Sequence, residues 1–99
     1  MYGTVAKFRV KPGMEQALIA VSEQAKSEID GLVGEYVYRM DAEPDVYYLA
    51  VTFRDRETYK ANAASPEQHE RYKAFRELLV DEPEWHDGEI VFGDGPPAA

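Results

Sequence analysis

Residues 31–53 read "GLVGEYVYRMDAEPDVYYLAVTF", and they decide the fold. Two runs rich in β-branched and aromatic residues, 33–40 and 46–54, flank "DAEPD" at 41–45. Pro44 and the neighbouring aspartates suit a hairpin turn longer than two residues. A strand with one wet face alternates apolar and polar side chains, because successive residues point to opposite faces. Here Val46, Tyr48 and Ala50 share one parity, Tyr47, Leu49, Val51 and Phe53 the other, and both are apolar or aromatic. Tyr36, Tyr38 and Met40 in the preceding strand oppose Val33 and Val37 in the same way. One face of this sheet is expected to lie under helices. The other needs a second cover, and a second copy of the chain is the simplest one, so a homodimer is expected.

Working outward, residues 2–10 read as a first strand, stopped by "KPG" at 11–13. Apolar residues at 14, 17, 18, 21, 25 and 29 then follow the spacing of an amphipathic helix, which "DG" at 30–31 ends. After the hairpin, "RDRETYKANAA" opens a second helical region with Asp55 as its N-cap. In "SPEQHERYKAFR", residues 65–76, Ser65 as N-cap, Pro66 at the first helical position and Gln68 three residues past the cap start a further helix. "DEPE" at 81–84 is expected to close it, and Trp85 to Phe92 to form the last strand. The order β-α-β-β-α-β, with its second helical segment split, is that of an α+β ferredoxin-like fold with a four-stranded antiparallel sheet. Residues 1–93 make one domain, and "DGPPAA" at 94–99 reads as a flexible C-terminal tail.

Composition narrows the function. Eleven basic against nineteen acidic residues give a net charge of −8, which repels a phosphate backbone and argues against nucleic acid as a partner. With no cysteine, disulfides, thiolate metal sites and a cysteine nucleophile are all excluded. "MYGTVAKFRV" reads as a strand and not as a basic and then apolar leader, and no apolar run approaches the length of a membrane span. A cytoplasmic location without membrane association is expected. His69 and His86 lack a third ligand at metal-site spacing, and "GDG" at 93–95 has no helix to open, so neither a metal nor a nucleotide cofactor is expected.

The strand followed by "KPG", the block "GLVGEYVYRMDAEPDVYYLAVTFRDRETYKANAASPEQHERY" at 31–72 and the closing "EPEWHDGEIVF" at 82–92 together resemble the antibiotic biosynthesis monooxygenase family of the dimeric α+β barrel superfamily. The resemblance implies two protomers packed sheet against sheet, each with a pocket between its sheet and helices. Some members oxidise polycyclic aromatic intermediates without a cofactor, and others degrade haem. The haem-degrading pattern has an Asn on the first strand, a Trp on the middle helix and an axial His on the next. Here those positions hold Val5, Ala6 and Lys7, then Tyr59 and Lys60, then Tyr72 with His69 one turn earlier. The reaction implied is therefore cofactor-independent oxidation of a small aromatic, phenolic or quinone-like substrate. Its alternatives are a non-catalytic ligand-binding or stress-related module and an isomerase or decarboxylase of the same superfamily.

A helical wheel gathers Tyr72, Phe75, Leu78 and Leu79 on one face, with His69 and Arg76 at its edge and Glu70 and Lys73 further out. Tyr72 points inward, as a pocket hydroxyl or a structural tyrosine. His69 is either a base at the pocket rim or an exposed boundary histidine. Asn62, one turn after Tyr59, either orients a substrate or caps its helix. Arg39 either stabilises an enolate or pairs with Glu35 or Asp41. Tyr36, Tyr38, Tyr48, Phe75 and Trp85 complete the expected substrate-binding set.

Overall fold

The computed structural model describes residues 1–94. Apart from Asp94, the expected tail at 94–99 lies outside the described residues. The elements are β1 (Tyr2–Arg9), α1 (Glu15–Glu28), β2 (Leu32–Arg39), β3 (Val46–Phe53), α2 (Arg56–Ala63), α3 (Pro66–Arg76) and β4 (Glu84–Glu89). The strands form one antiparallel sheet in the order β2-β3-β1-β4, with the two central strands paired from Tyr2↔Phe53 to Arg9↔Val46. The ferredoxin-like arrangement read from the sequence is the one observed.

The caps act as their residue types dictate. Asp55 accepts the Thr58 N–H at 2.8 Å, and Ser65 Oγ accepts the Gln68 N–H at 3.1 Å. The reciprocal half of a capping box is not made: the Gln68 side chain turns to Asn62 and Arg71 instead. Gly31 ends the first helical stretch with φ of +80°, a conformation in which a Cβ would also meet the Thr58 side chain at 2.7 Å.

Two element ends differ from the sequence expectation. The third helix stops at Arg76, because the chain tightens into a turn (Leu78 N–H to Phe75 O, 3.0 Å; Leu79 N–H to Arg76 O, 3.1 Å) and bridges to Val10 at Leu79. Backbone pairing with β1, through Val80 N–H to Arg9 O at 2.9 Å, replaces further helical bonds before "DEPE" is reached. Strand β4 ends at Glu89, short of Phe92. Ile90 N–H still reaches Met1 O at 2.9 Å, but Val91 and Phe92 leave the sheet and are 95% and 81% exposed.

Pairing fixes which side chains face the helices. Tyr2, Thr4, Ala6 and Phe8 of β1 stand beside Phe53, Val51, Leu49 and Tyr47 of β3. The core gathers toward one end of this face, where Phe8, Val10, Leu18, Tyr47 and Leu79 are all buried. On the reverse face Val5, Tyr36 and Tyr38 are 48%, 53% and 53% exposed. These side chains make an apolar patch on that face, open in the single chain.

Gly3 marks the tightest approach of the central strands. A Cβ there would lie 1.9 Å from the Val51 carbonyl oxygen, a backbone atom that a side-chain rotation cannot relieve. Gly3→Ala is expected to destabilise the fold by about 3 kcal/mol, seen as a lower urea midpoint at unchanged m-value.

Candidate functional site

A cavity of about 480 Å³ opens between the sheet and the three helices. Its floor is the helix-facing side of the sheet, including Glu35, Val37, Leu49, Val51 and Thr4. Leu18, Val21 and Ala25 of α1 form one wall, and Asn62, His69, Tyr72 and Phe75 of α2 and α3 the other. Trp85 and Asp87 enter from β4, on the same face because they are two residues apart.

The aromatic side chains make two groups. Phe75 meets Phe8 edge-on at 5.0 Å between centroids, and lies 6.2 Å from Trp85 and 6.5 Å from Tyr72. Tyr59 packs on Tyr2 and Phe53, each at 5.2 Å. These rings give the cavity flat apolar walls of the kind that bury aromatic ligands.

Most polar groups are committed to one another. Arg71 donates through Nη2 to Asn62 Oδ1 (2.9 Å), through Nε to Gln68 Oε1 (3.0 Å) and through Nη1 to Glu28 Oε2 (3.3 Å). Asn62 Nδ2 in turn donates to Gln68 Oε1 at 3.2 Å. Tyr72 O–H donates to Glu82 Oε2 at 2.7 Å; this bond first, and burial second, push its phenol up, while Tyr72 and Arg76 hold the Glu82 carboxyl down. Tyr59 O–H donates to Asp87 Oδ1 at 2.8 Å, and its phenol is pushed well up, by burial above all and then by that carboxylate.

Two groups on the cavity floor stand apart. The Thr4 hydroxyl is buried without a hydrogen bond of normal geometry: the Tyr59 phenol beside it gives its proton to Asp87, which leaves Thr4 no donor to accept from. The Glu35 carboxylate faces the cavity, and among the described residues it has no hydrogen bond or ion pair. Burial alone pushes it above the ordinary glutamate range.

The cavity therefore brings together Asn62, His69, Tyr72, Phe75 and Trp85 of the residues expected from the sequence. It does not take in Tyr36, Tyr38, Tyr48 or Arg39. Tyr36, opposite Ala50, and Tyr38, opposite Tyr48, occupy the reverse parity, which places these three tyrosines on the open face. Arg39 is on the helix side, but pairs with Glu15 of α1 and not with Glu35 or Asp41. Glu15 also accepts the Tyr47 O–H at 2.7 Å, and Tyr47 followed by Arg39 draws its carboxyl down.

Sequence reasoning passed over Thr4, Glu35, Arg71 and Asp87. Glu35 was readable: it alternates with Tyr36 and Tyr38 and shares parity with Val37, so a charge was due on the helix-facing side. Among the described residues no three His, Asp or Glu side chains converge as a metal-binding group, and no helix is long and apolar enough to cross a membrane.

The sequence matches the family described as antibiotic biosynthesis monooxygenase over residues 1–78. The chain belongs to that family. A solved structure from Chloroflexus aurantiacus J-10-fl, provisionally named a monooxygenase of this family, is 28% identical, with 95% of this chain and 96% of that one covered and a TM-score of 0.74. One from Bordetella bronchiseptica, named in the same provisional way, is 23% identical over 92% and 97% of the two chains, at a TM-score of 0.76. The N63A mutant of SnoaB, a cofactor-independent oxygenase from Streptomyces nogalater, is 17% identical over 93% and 94%, at a TM-score of 0.77. No curated protein matches the sequence.

Two stability measurements check the polar exceptions. Thr4→Val removes an orphaned hydroxyl at similar volume and is expected to stabilise the protein by about 1 kcal/mol in chemical denaturation. Glu35→Gln should melt higher than wild type by a margin that depends on pH. At low pH both states of wild type keep the Glu35 proton and the two proteins are alike. As pH rises through the ordinary glutamate range of about 4 the unfolded chain ionises first and wild type loses ground, until Glu35 ionises in the fold as well.

Proposed function

We propose that this member of the family is a cofactor-independent monooxygenase acting on a small aromatic, phenolic or quinone-like substrate. The observation that carries the reading is the cavity: flat aromatic walls from Phe8, Phe75 and Trp85, with hydrogen-bonding groups held in fixed positions around them. An electron-rich ring fits between such walls, and its oxygens meet Asn62 and Tyr72. The cofactor-independent oxygenase SnoaB shares the fold and supports the choice of reaction class.

In this mechanism the protein binds the substrate, excludes water and helps remove a proton, and the resulting carbanion or phenolate itself reduces dioxygen. Asn62 is held by Gln68 and Arg71, so its amide is presented without loss of rotamer freedom on binding. Tyr72, fixed by Glu82, stands on the same wall. His69 is exposed at the rim, where it can exchange a proton with solvent.

The open sheet face supports the dimer as the working unit. Val5, Tyr36, Tyr38 and Tyr48 form a patch that a second copy of the sheet would bury, leaving the cavity on the opposite side free.

A second reading, ligand binding without turnover, is favoured by one observation: both ends of the Asn62 amide already have partners within the protein. Dioxygen uptake with a panel of anthrone- and hydroquinone-type compounds decides between the two. Uptake above the protein-free rate, reduced by about tenfold or more in Asn62→Ala and Tyr72→Phe, is expected for the oxygenase. Tight binding with no uptake supports the binding module, and conversion without dioxygen supports isomerase or decarboxylase chemistry. Sedimentation at micromolar concentration is expected to give a dimer, and Tyr38→Glu to shift it toward monomer by placing a charge within the patch.

A further inference from the structure

Resting on the oxygenase reading, we propose that Glu35 is the proton acceptor for a hydroxyl of the substrate, and that the Thr4 hydroxyl holds the polar group at the substrate's other end. The sheet register places the two groups. Glu35 pairs with Val51, Val51 with Thr4, and Thr4 with Asp87, so these four residues form one transverse row across the cavity floor. Two strand spacings separate Glu35 from Thr4, roughly 10 Å, with only the Val51 side chain between them. A flat molecule lying along this row meets an apolar middle and a hydrogen-bonding group at each end.

His69 is exposed at the cavity rim, away from this row on the floor, and three other polar groups are already engaged. Asp87 is occupied by the Tyr59 phenol, Arg71 by three acceptors, and Tyr72 by Glu82. Thr4 is 5% exposed, and its unsatisfied hydroxyl is unfavourable in the empty cavity; a ligand oxygen removes that penalty. Glu35 lies among Val37, Leu49 and Val51 on the sheet and Leu18 and Val21 on α1. The charged and titratable groups that share a cavity with it are Glu23 and Lys26 of α1, Tyr59 of α2, His69, Arg71 and Tyr72 of α3, and Asp87 of β4. None of them bonds to it, and its raised proton affinity comes from burial.

The step is a single proton transfer. The O–H bond of the substrate breaks, its electron pair stays on the substrate oxygen as a phenolate or enolate, and the proton forms an O–H bond on the Glu35 carboxylate. The anion is then the species that dioxygen oxidises. Glu35 must be ionised to begin, so turnover should rise with pH through the raised range of this carboxyl.

The experiment uses 1,8-dihydroxyanthrone, whose absorbance separates its neutral and anionic forms. Under anaerobic conditions, at a pH where the free probe is neutral, wild type is expected to bind it as the anion. Glu35→Gln is expected to bind it as the neutral phenol, and Glu35→Asp to restore part of the anion signal. Thr4→Val should weaken binding about tenfold while keeping the anion spectrum, since it removes one hydrogen bond and no base. In air, uptake of dioxygen by Glu35→Gln should fall at least ~100-fold. An unchanged anion spectrum in Glu35→Gln overturns the proposal, as does a wild type that binds only neutral probe or none. If wild type forms the Glu35-dependent anion but consumes no dioxygen, the oxygenase reading fails and the proton acceptor stands. If wild type and Glu35→Gln consume dioxygen alike, the reading stands and the proposal falls.

Discussion

The pairing of β1 with its two neighbours is the constraint from which the rest of the structure follows. It joins β3 from Tyr2↔Phe53 to Arg9↔Val46 and β4 from Tyr2↔Glu89 to Lys7↔Glu84. Because side chains alternate with a period of two, this register puts Thr4, Ala6 and Phe8 under the helices and Val5 and Lys7 on the reverse face. A slip of one residue would carry Lys7 into the core and Phe8 out of it. Gly3, with the Val51 carbonyl where a Cβ would stand, allows the two backbones to close together at the cavity end of the sheet.

Packing on the helix face is uneven, and the unevenness makes the site. Near Val10 and Leu79 the layer is filled by Phe8, Leu18 and Tyr47, and Leu79 is tied to β1 through a backbone bridge. Toward Glu35, Thr4 and Asp87 the helices stand off the sheet. The side chains that α1 turns to this region are Val21, Ser22 and Ala25, too small to span the gap. Protein interiors are close-packed as a rule, so an unfilled volume with polar groups on its floor is a place kept for something else. The aromatic walls survive because Phe75 is supported on Phe8 and Trp85 from opposite elements.

Local chemistry was legible in the sequence. The hairpin around Pro44, the caps at Asp55 and Ser65 and the stop at Gly31 each depend on residues within one turn of themselves. What depended on distant partners was not. The third helix ends where β1 offers backbone bonds, which is not written in the helix's own residues. Sheet faces lay between these cases. Parity correctly separated Arg39 from Tyr36 and Tyr38, but which parity faced the helices required the β3 register, and so the three tyrosines were grouped with a cavity they do not touch. Gln68 shows the same limit on a smaller scale: its position predicts a capping box, while tertiary contacts with Asn62 and Arg71 take its side chain elsewhere.

The polar chemistry of the cavity follows from a competition for partners. Arg39 had three carboxylates within sequence reach of its face, and it is Glu15, brought in by the start of α1 and steadied by Tyr47, that captures it. Arg71, the other guanidinium near the cavity, is drawn to Asn62, Gln68 and Glu28 by the way α2, α3 and α1 converge. A carboxylate left among valines and leucines with neither guanidinium available, and unbonded to Lys26, has its proton affinity raised by burial. Groups already bonded can position a ligand but have little left to give in a reaction, whereas an unpartnered group retains its whole capacity. The reactive end of this cavity is therefore set less by which residues line it than by which of them the fold has left unpaired.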